Sequence, residues 1–278
     1  MAEWIKTAIL IVTLALAVVV GSFGAQWLGS TRGDFGPTIL QTVSPLSATI
    51  SILMVITVAT LLGIPLAKVS SAASGMFVVG FALFGLSMRT QGVTDFIFSE
   101  GSSTTLMIEA LVLSLILLLS SVVMFKFGGP LKDVPRNQNK SWDASFSPRS
   151  IAMTLLVSLA MLPMIWLVAV SPSKGQVIGA AVVGGIVVAC LARKFMPHLQ
   201  PIMLFSTPTA IAAIGYFVAN SMGISDIAFT QNTISPLIFP MPLEYAGGSL
   251  MGIAIGLSWG TSLAEKAGPE TWISMPKI

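Results

Sequence analysis

Eight apolar runs, each about 17 to 23 residues long, alternate along this chain with polar connections. They are Ile5–Trp27, Pro45–Leu66, Val69–Met88, Thr105–Phe127, Ile151–Val170, Gly175–Leu191, Ile202–Ala219 and Tyr245–Leu263. A hydrocarbon core about 30 Å thick is crossed by about 20 residues at a rise of 1.5 Å each. Lipid offers no partner for backbone N–H and C=O groups, so such runs must be helical. Composition agrees: 54% of residues are hydrophobic and 9% charged, against about 25% charged in a soluble domain. The expected fold class is an all-α, polytopic integral membrane helical bundle of about eight transmembrane helices, embedded in the lipid bilayer.

The basic residues carry the orientation. Lys6 lies near the start of the first run, which we read as a retained helix rather than a cleaved signal peptide. If the runs alternate in direction, three of the 14 basic residues (Arg32, Arg89 and Lys174) fall on one side and the other eleven on the opposite side. Basic loops favour the cytoplasm. Both termini and the polar stretch 128–150 are therefore expected inside, in a multi-pass protein of the plasma (inner or cytoplasmic) membrane. That stretch separates a first group of four helices, 1–127, from a last group, 151–278.

Several functions find no support. The net charge of +3 is dispersed between apolar runs and forms no basic face, so nucleic acid is not an expected partner. A lone cysteine, Cys190, cannot form an internal disulfide or a CxxC site. A lone histidine, His198, cannot supply bis-histidine haem ligation or a Ser-His-Asp triad placed within a run. No phosphate-binding glycine loop and no paired membrane carboxylates occur. No cofactor or metal is implied, and an enzyme is not the expected class.

Three places can carry chemistry. Glu109 lies about one turn inside the fourth run, where it either carries a proton or snorkels to the outer interface. Ser206, Thr207, Pro208 and Thr209 lie in the first half of the seventh run. Proline frees a carbonyl there, and three hydroxyls surround it, so they can hold a cation or a polar substrate, or simply satisfy a kink. Pro163 predicts a second kink, in the fifth run. The third place is Gln231–Tyr245, apolar and broken by prolines, which can re-enter the membrane or cap it.

Glycine marks the expected contacts. Gly248, Gly252, Gly256 and Gly260 are spaced by four and share one helix face. They predict close packing against another helix rich in small residues, either the sixth (Gly175, Gly179, Gly184) or the third (Gly75, Gly80). Gly75–Gly80 and Gly179–Gly184 also resemble each other, as an inverted repeat of three-helix units would require; Thr42–Leu46 and Thr233–Leu237 suggest a different pairing. Two functional readings follow. One is a small secondary transporter or permease for an ion or small polar solute. The other is a non-catalytic integral subunit of a larger membrane complex, with other membrane subunits or further copies of itself as partners.

Overall fold

The computed structural model describes residues 3–131, 134 and 145–266. Most of the polar stretch 128–150, and the tail after 266, lie outside the described residues. The described chain is helical, with no strand and only an isolated bridge between Gly29 and Phe35. Its helices are α1 (Glu3–Gly24), α2 (Pro45–Val69), α3 (Ala72–Ser87), α4 (Val93–Phe98), α5 (Ser103–Gly128), α6 (Pro148–Ser158), α7 (Met161–Val168), α8 (Lys174–Phe195), α9 (Thr207–Ser221), α10 (Asp226–Thr230) and α11 (Pro242–Lys266).

Five segments are long and apolar enough to cross a membrane: Trp4–Trp27, Pro45–Val69, Ser103–Gly128, Pro148–Val168 and Lys174–Phe195. They make this a multi-pass membrane protein. Their open faces are apolar, with Ile11, Val19, Leu115, Leu119 and Leu167 all exposed, which a lipid surround tolerates and water does not.

Connections 28–44, 88–102, 169–173 and 222–241 gather at one end, here the upper end. Arg32 Nη2 donates to the Phe98 carbonyl at 3.4 Å, the Phe98 and Phe229 rings meet edge to face at 6.0 Å, and Ser103 Oγ donates to Asn220 Oδ1 at 2.6 Å. At the lower end the Leu131 amide donates to Gln200 Oε1 at 3.0 Å.

α11 is the axis. One face lies on α8 and another on α3. A Cβ at Gly252 would land on the Val182 carbonyl oxygen, and one at Gly256 would come within 2.7 Å of the Ile186 carbonyl oxygen. Gly248 meets the backbone of Ile178 and Val182. From the α8 side Gly185 answers, its own Cβ position 2.6 Å from the Ser249 carbonyl oxygen. The opposite face sets Gly247 against Leu83 and Phe84, while Gly80 meets Leu250 and Met251. α3 then passes the pattern outward: Gly85 abuts the Val18 backbone of α1, and Gly75 abuts Gly63 of α2. Backbones this close gain many dispersion contacts of about 0.1–0.2 kcal/mol each, and lipid tails, as apolar as leucine, cannot supply that fit.

Not every glycine takes part. Gly175 and Gly179 meet nothing within 4 Å, and Gly184 faces the Met161 sulfur. The contact on α8 is therefore made by Gly185 and by carbonyls, not by Gly175 or Gly179. Gly75–Gly80 and Gly179–Gly184 consequently play different packing parts. Gly260 lies in α11, but its surroundings fall outside the described residues.

Candidate functional site

Two of the apolar runs are interrupted, and proline explains both interruptions. In the fifth, the break falls at Leu159 and Ala160, between α6 and α7, and not at Pro163 itself. Pro163 lacks the N–H that the Leu159 carbonyl, four residues earlier, would accept, and its ring crowds that carbonyl. Leu159 accepts from Leu162 N instead, at 3.1 Å. In the seventh run, Pro208 does not kink a continuous helix. A single 3-10 turn, Met203–Phe205, comes first, and α9 starts at Thr207 with Pro208 in its first turn. Proline suits that position because a first-turn N–H has no intrahelical partner anyway.

The two interruptions meet. Ser158 Oγ and Thr207 Oγ1 lie 2.7 Å apart, and both residues are buried. α5 forms the third wall: Ser114 Oγ donates to the Ser206 carbonyl at 3.0 Å, and Ser121 Oγ donates to the Ile202 carbonyl at 2.7 Å. Ser206 Oγ donates back to the Met203 carbonyl at 2.9 Å. Thr209 is fully buried and its hydroxyl has no hydrogen-bond partner. α5 has 26 residues, and Ser114 is near its middle. The N-terminus of α9 therefore opens halfway along the bundle, not at either end.

A second polar layer lies above the first. Glu109 is buried rather than snorkelling, and its Oε1 accepts from the Leu40 amide at 2.8 Å. It thus ties the connection 28–44 to α5. Tyr216, on α9, is fully buried and donates to the Pro240 carbonyl at 2.6 Å, within electrostatic reach of Tyr245, Glu244 and Glu109. Tyr245 on α11 is likewise buried, with its hydroxyl unpartnered. The segment 231–245 packs its residues Ile234–Tyr245 inward over this layer, with only Pro236 partly open.

Sequence reasoning missed the strongest feature here. The Lys174 ammonium, at the start of α8, pairs with Glu244 Oε1, donates to the carbonyls of Ser87 (2.9 Å) and Gln91 (3.0 Å), and donates to Thr90 Oγ1 at 3.3 Å. Glu244 Oε2 accepts from the Met241 amide at 2.8 Å. Ser87 closes α3, and a cation at a helix C-terminus is favoured by the helix dipole. A buried ion pair gives register more reliably than stability, and this one fixes α3, α8 and α11 at a single point. The available signal was slight: Glu244 lies four residues after Pro240 and two after Pro242, and Lys174 is the lone base beside the connection 169–173.

Elsewhere the chemistry is sparse. His198 is exposed and Cys190 half-buried. Among the described residues no cluster of three or more His, Cys, Asp or Glu side chains can hold a metal. The halfway layer offers hydroxyls, amides and carbonyls. No protein-family model, curated protein or solved structure matches this chain.

Proposed function

We propose that this protein is a small secondary transporter or permease, with a solute path that passes Glu109 and the Ser206–Thr209 turn. The observation carrying the reading is the meeting of two interrupted helices halfway along the bundle, at Ser158 and Thr207. A half-helix terminus at mid-membrane aims unspent backbone groups at a solute, and irregular backbone at that depth is tolerated only where it is buried or lines a path. Eight crossings fit this reading, the seventh built of the 3-10 turn followed by α9. Both termini then lie in the cytoplasm, as the basic residues favour, and the upper end faces out of the cytoplasmic membrane.

The test uses the full chain in proteoliposomes. A single cysteine is placed at Thr207, with Cys190→Ala, and challenged with a membrane-impermeant thiol reagent from each side; Thr209→Cys serves as a second position. Labelling of the same site from both sides supports a transporter. Protection from both sides in both variants rejects it.

The second reading, a non-catalytic subunit of a membrane complex, draws on the apolar groove between α1 and α2, lined by Val19, Phe23, Trp27, Ile50, Met54 and Val58. Mass measurement in mild detergent separates the readings: a stoichiometric partner chain favours the subunit, and the chain alone, with lipid, favours the transporter.

A further inference from the structure

The helices recur in order. α1, α2, α3, α4 and α5 have 22, 25, 16, 6 and 26 residues. The span made by α6 and α7, then α8, α9, α10 and α11, have 21, 22, 15, 5 and 25. Sequence recurs at matching places. α3 ends at Ser87 with Met88 as its cap, and α9 ends at Ser221 with Met222 as its cap. Gly92-Val-Thr-Asp-Phe-Ile-Phe-Ser99 carries α4, and Gly223-Ile-Ser-Asp-Ile-Ala-Phe-Thr230 carries α10. Near the starts of α5 and α11, Glu109 precedes Ser114-Leu115 by the same spacing as Glu244 precedes Ser249-Leu250. A hydroxyl and an acid at the start of a short helix are ordinary capping. Three matches in one order, on elements of matching length, are not.

The contacts recur as well. α3 packs on α1 of its own unit and on α11 of the other; α9 packs on α6 and α7 of its own unit and on α5 of the other. α2 packs on α5, and α8 on α11. The pairs that exchange into themselves, α5 with α11 and α4 with α10, are both in contact. Exchanging the units preserves all these contacts, as a two-fold axis requires. α1 and the α6–α7 span both lead into upper connections, 28–44 and 169–173. The units therefore run in the same direction, and their axis lies along the membrane normal. This sets aside an inverted repeat built on Gly75–Gly80 and Gly179–Gly184, which lie in α3 and α8.

The units meet along two equivalent seams, α3–α11 and α5–α9, and these have diverged. In the first, backbones touch: a Cβ at Gly80 would sit 3.0 Å from Met251 Cγ, and one at Gly247 would sit 3.0 Å from the Phe84 amide nitrogen. Lys174 of the second unit then clamps this seam through the Ser87 and Gln91 carbonyls of the first. In the second seam, serine hydroxyls do the joining: Ser103 to Asn220, Ser114 to the Ser206 carbonyl and Ser121 to the Ile202 carbonyl. Of the two matching carboxylates only Glu244 meets a lysine among the described residues; Glu109 is held by the Leu40 amide of its own unit. A helical serine can turn back to the carbonyl four residues before it, so parting α5 from α9 leaves Ser114 and Ser121 with other partners. Parting α3 from α11 would tear the clamp and open a bare backbone face. We infer that the protein is a tandem duplication of a unit of four crossings and one very short helix, and that its two units pivot on the α3–α11 seam while the α5–α9 seam opens to the solute. The last clause rests on the transport reading; the duplication does not.

The test uses full-length Cys190→Ala protein in proteoliposomes. Ser99→Cys and Thr230→Cys, at matching exposed positions, should each be labelled by an impermeant thiol reagent from the same face; labelling from opposite faces refutes the duplication. Spin-label pairs then read the seams by dipolar spectroscopy. Thr104→Cys with Ser221→Cys spans the upper end of α5–α9, and Ser70→Cys with Ser258→Cys spans the lower end of α3–α11, all at exposed positions. The first pair should give two distances or a broad distribution, and the second a single narrow one. Equal widths, or the reverse order, overturn the pivot. Disulfides tie the motion to access. Leu83→Cys with Gly247→Cys, whose Cβ atoms would lie 3.3 Å apart, bridges the pivot at near-disulfide spacing; Ser103→Cys with Asn220→Cys bridges the opening seam. With Thr207→Cys as reporter, the first bridge should leave labelling from both sides unchanged. The second should slow labelling from the upper side about tenfold, reversibly on reduction, because it holds a gating motion shut. Slowing by the first bridge alone, or by neither, overturns the inference and leaves transport standing. A reporter protected from both sides before any bridge is made discards transport, and the spin-label widths alone then decide the pivot.

Discussion

The row α8–α11–α3–α1 and the cluster α5–α6–α7–α9 solve the same packing problem by opposite means. In the row, side chains are removed: Gly185, Gly252, Gly80 and Gly85 let backbones touch, and the contacts repeat along whole helices. In the cluster, helices are interrupted, and single hydroxyls from Ser114, Ser121 and Ser158 tie the loose ends together. A backbone-to-backbone seam has no intermediate position, because sliding by a residue drives a Cβ into a carbonyl. A hydroxyl bond, worth about 1 kcal/mol net, can be exchanged for another partner. The difference assigns rigidity to the row and adjustability to the cluster, where the solute path we propose would lie.

The sharpest way to break this comparison is Gly252→Leu. Its Cβ would land on the Val182 carbonyl, so the two helices must separate along their length, and we expect loss of folded, monodisperse protein on size-exclusion chromatography. Gly179→Leu, on the same pair of helices but facing open space, should melt at or above the parent temperature, since leucine is the better helix former by about 1 kcal/mol. Equal damage from both would show that the row does not depend on close approach. Next comes Lys174→Met. It strands the Glu244 carboxylate, 1% exposed, and should cost about 3 kcal/mol in denaturant titration. Adding Glu244→Gln should recover most of that loss, and a double variant no better than the single one would reduce Lys174 to a carbonyl cap. Ser158→Ala should cost about 1–2 kcal/mol, by leaving the Thr207 hydroxyl buried and alone. No loss is expected for Thr209→Val, which removes a buried hydroxyl that bonds to nothing: stability should hold or rise by about 1 kcal/mol. A loss there would mean that the hydroxyl has a structural partner after all.

Much of the row was legible because its signal is local. Glycine every four residues needs no knowledge of the partner to imply a bare helix face, and the apolar runs state their lengths outright. The partner's face was not legible. Gly175, Gly179 and Gly185 are all available in α8, and the rotation of that helix is set by the Lys174 anchor and by Met161, which lie outside the glycine pattern. Proline told where the helices fail but not how. Pro163 moved its break four residues upstream, to the carbonyl it deprives, and Pro208 began a helix instead of bending one. The pairing of Lys174 with Glu244 was not legible, because a pair 70 residues apart leaves no periodicity behind. Glu109 was recognised as unusual, yet its partner is a backbone amide, which every sequence has and none displays.

The placement of α11 has a consequence for how the protein is made. The helix that lies between α3 and α8 leaves the ribosome after both of them, and domains ordinarily assemble from the N-terminus as synthesis proceeds. Until Gly248–Gly256 arrive, Gly80 and Gly185 have no counterpart, and the acid that pairs with Lys174 does not yet exist. The seams on α3 and α8 can therefore close only once α11 has been inserted between them. Chains stalled before residue 242 lack both seams and should be open to proteases. Insertion of α11 thus joins two parts that were made before it.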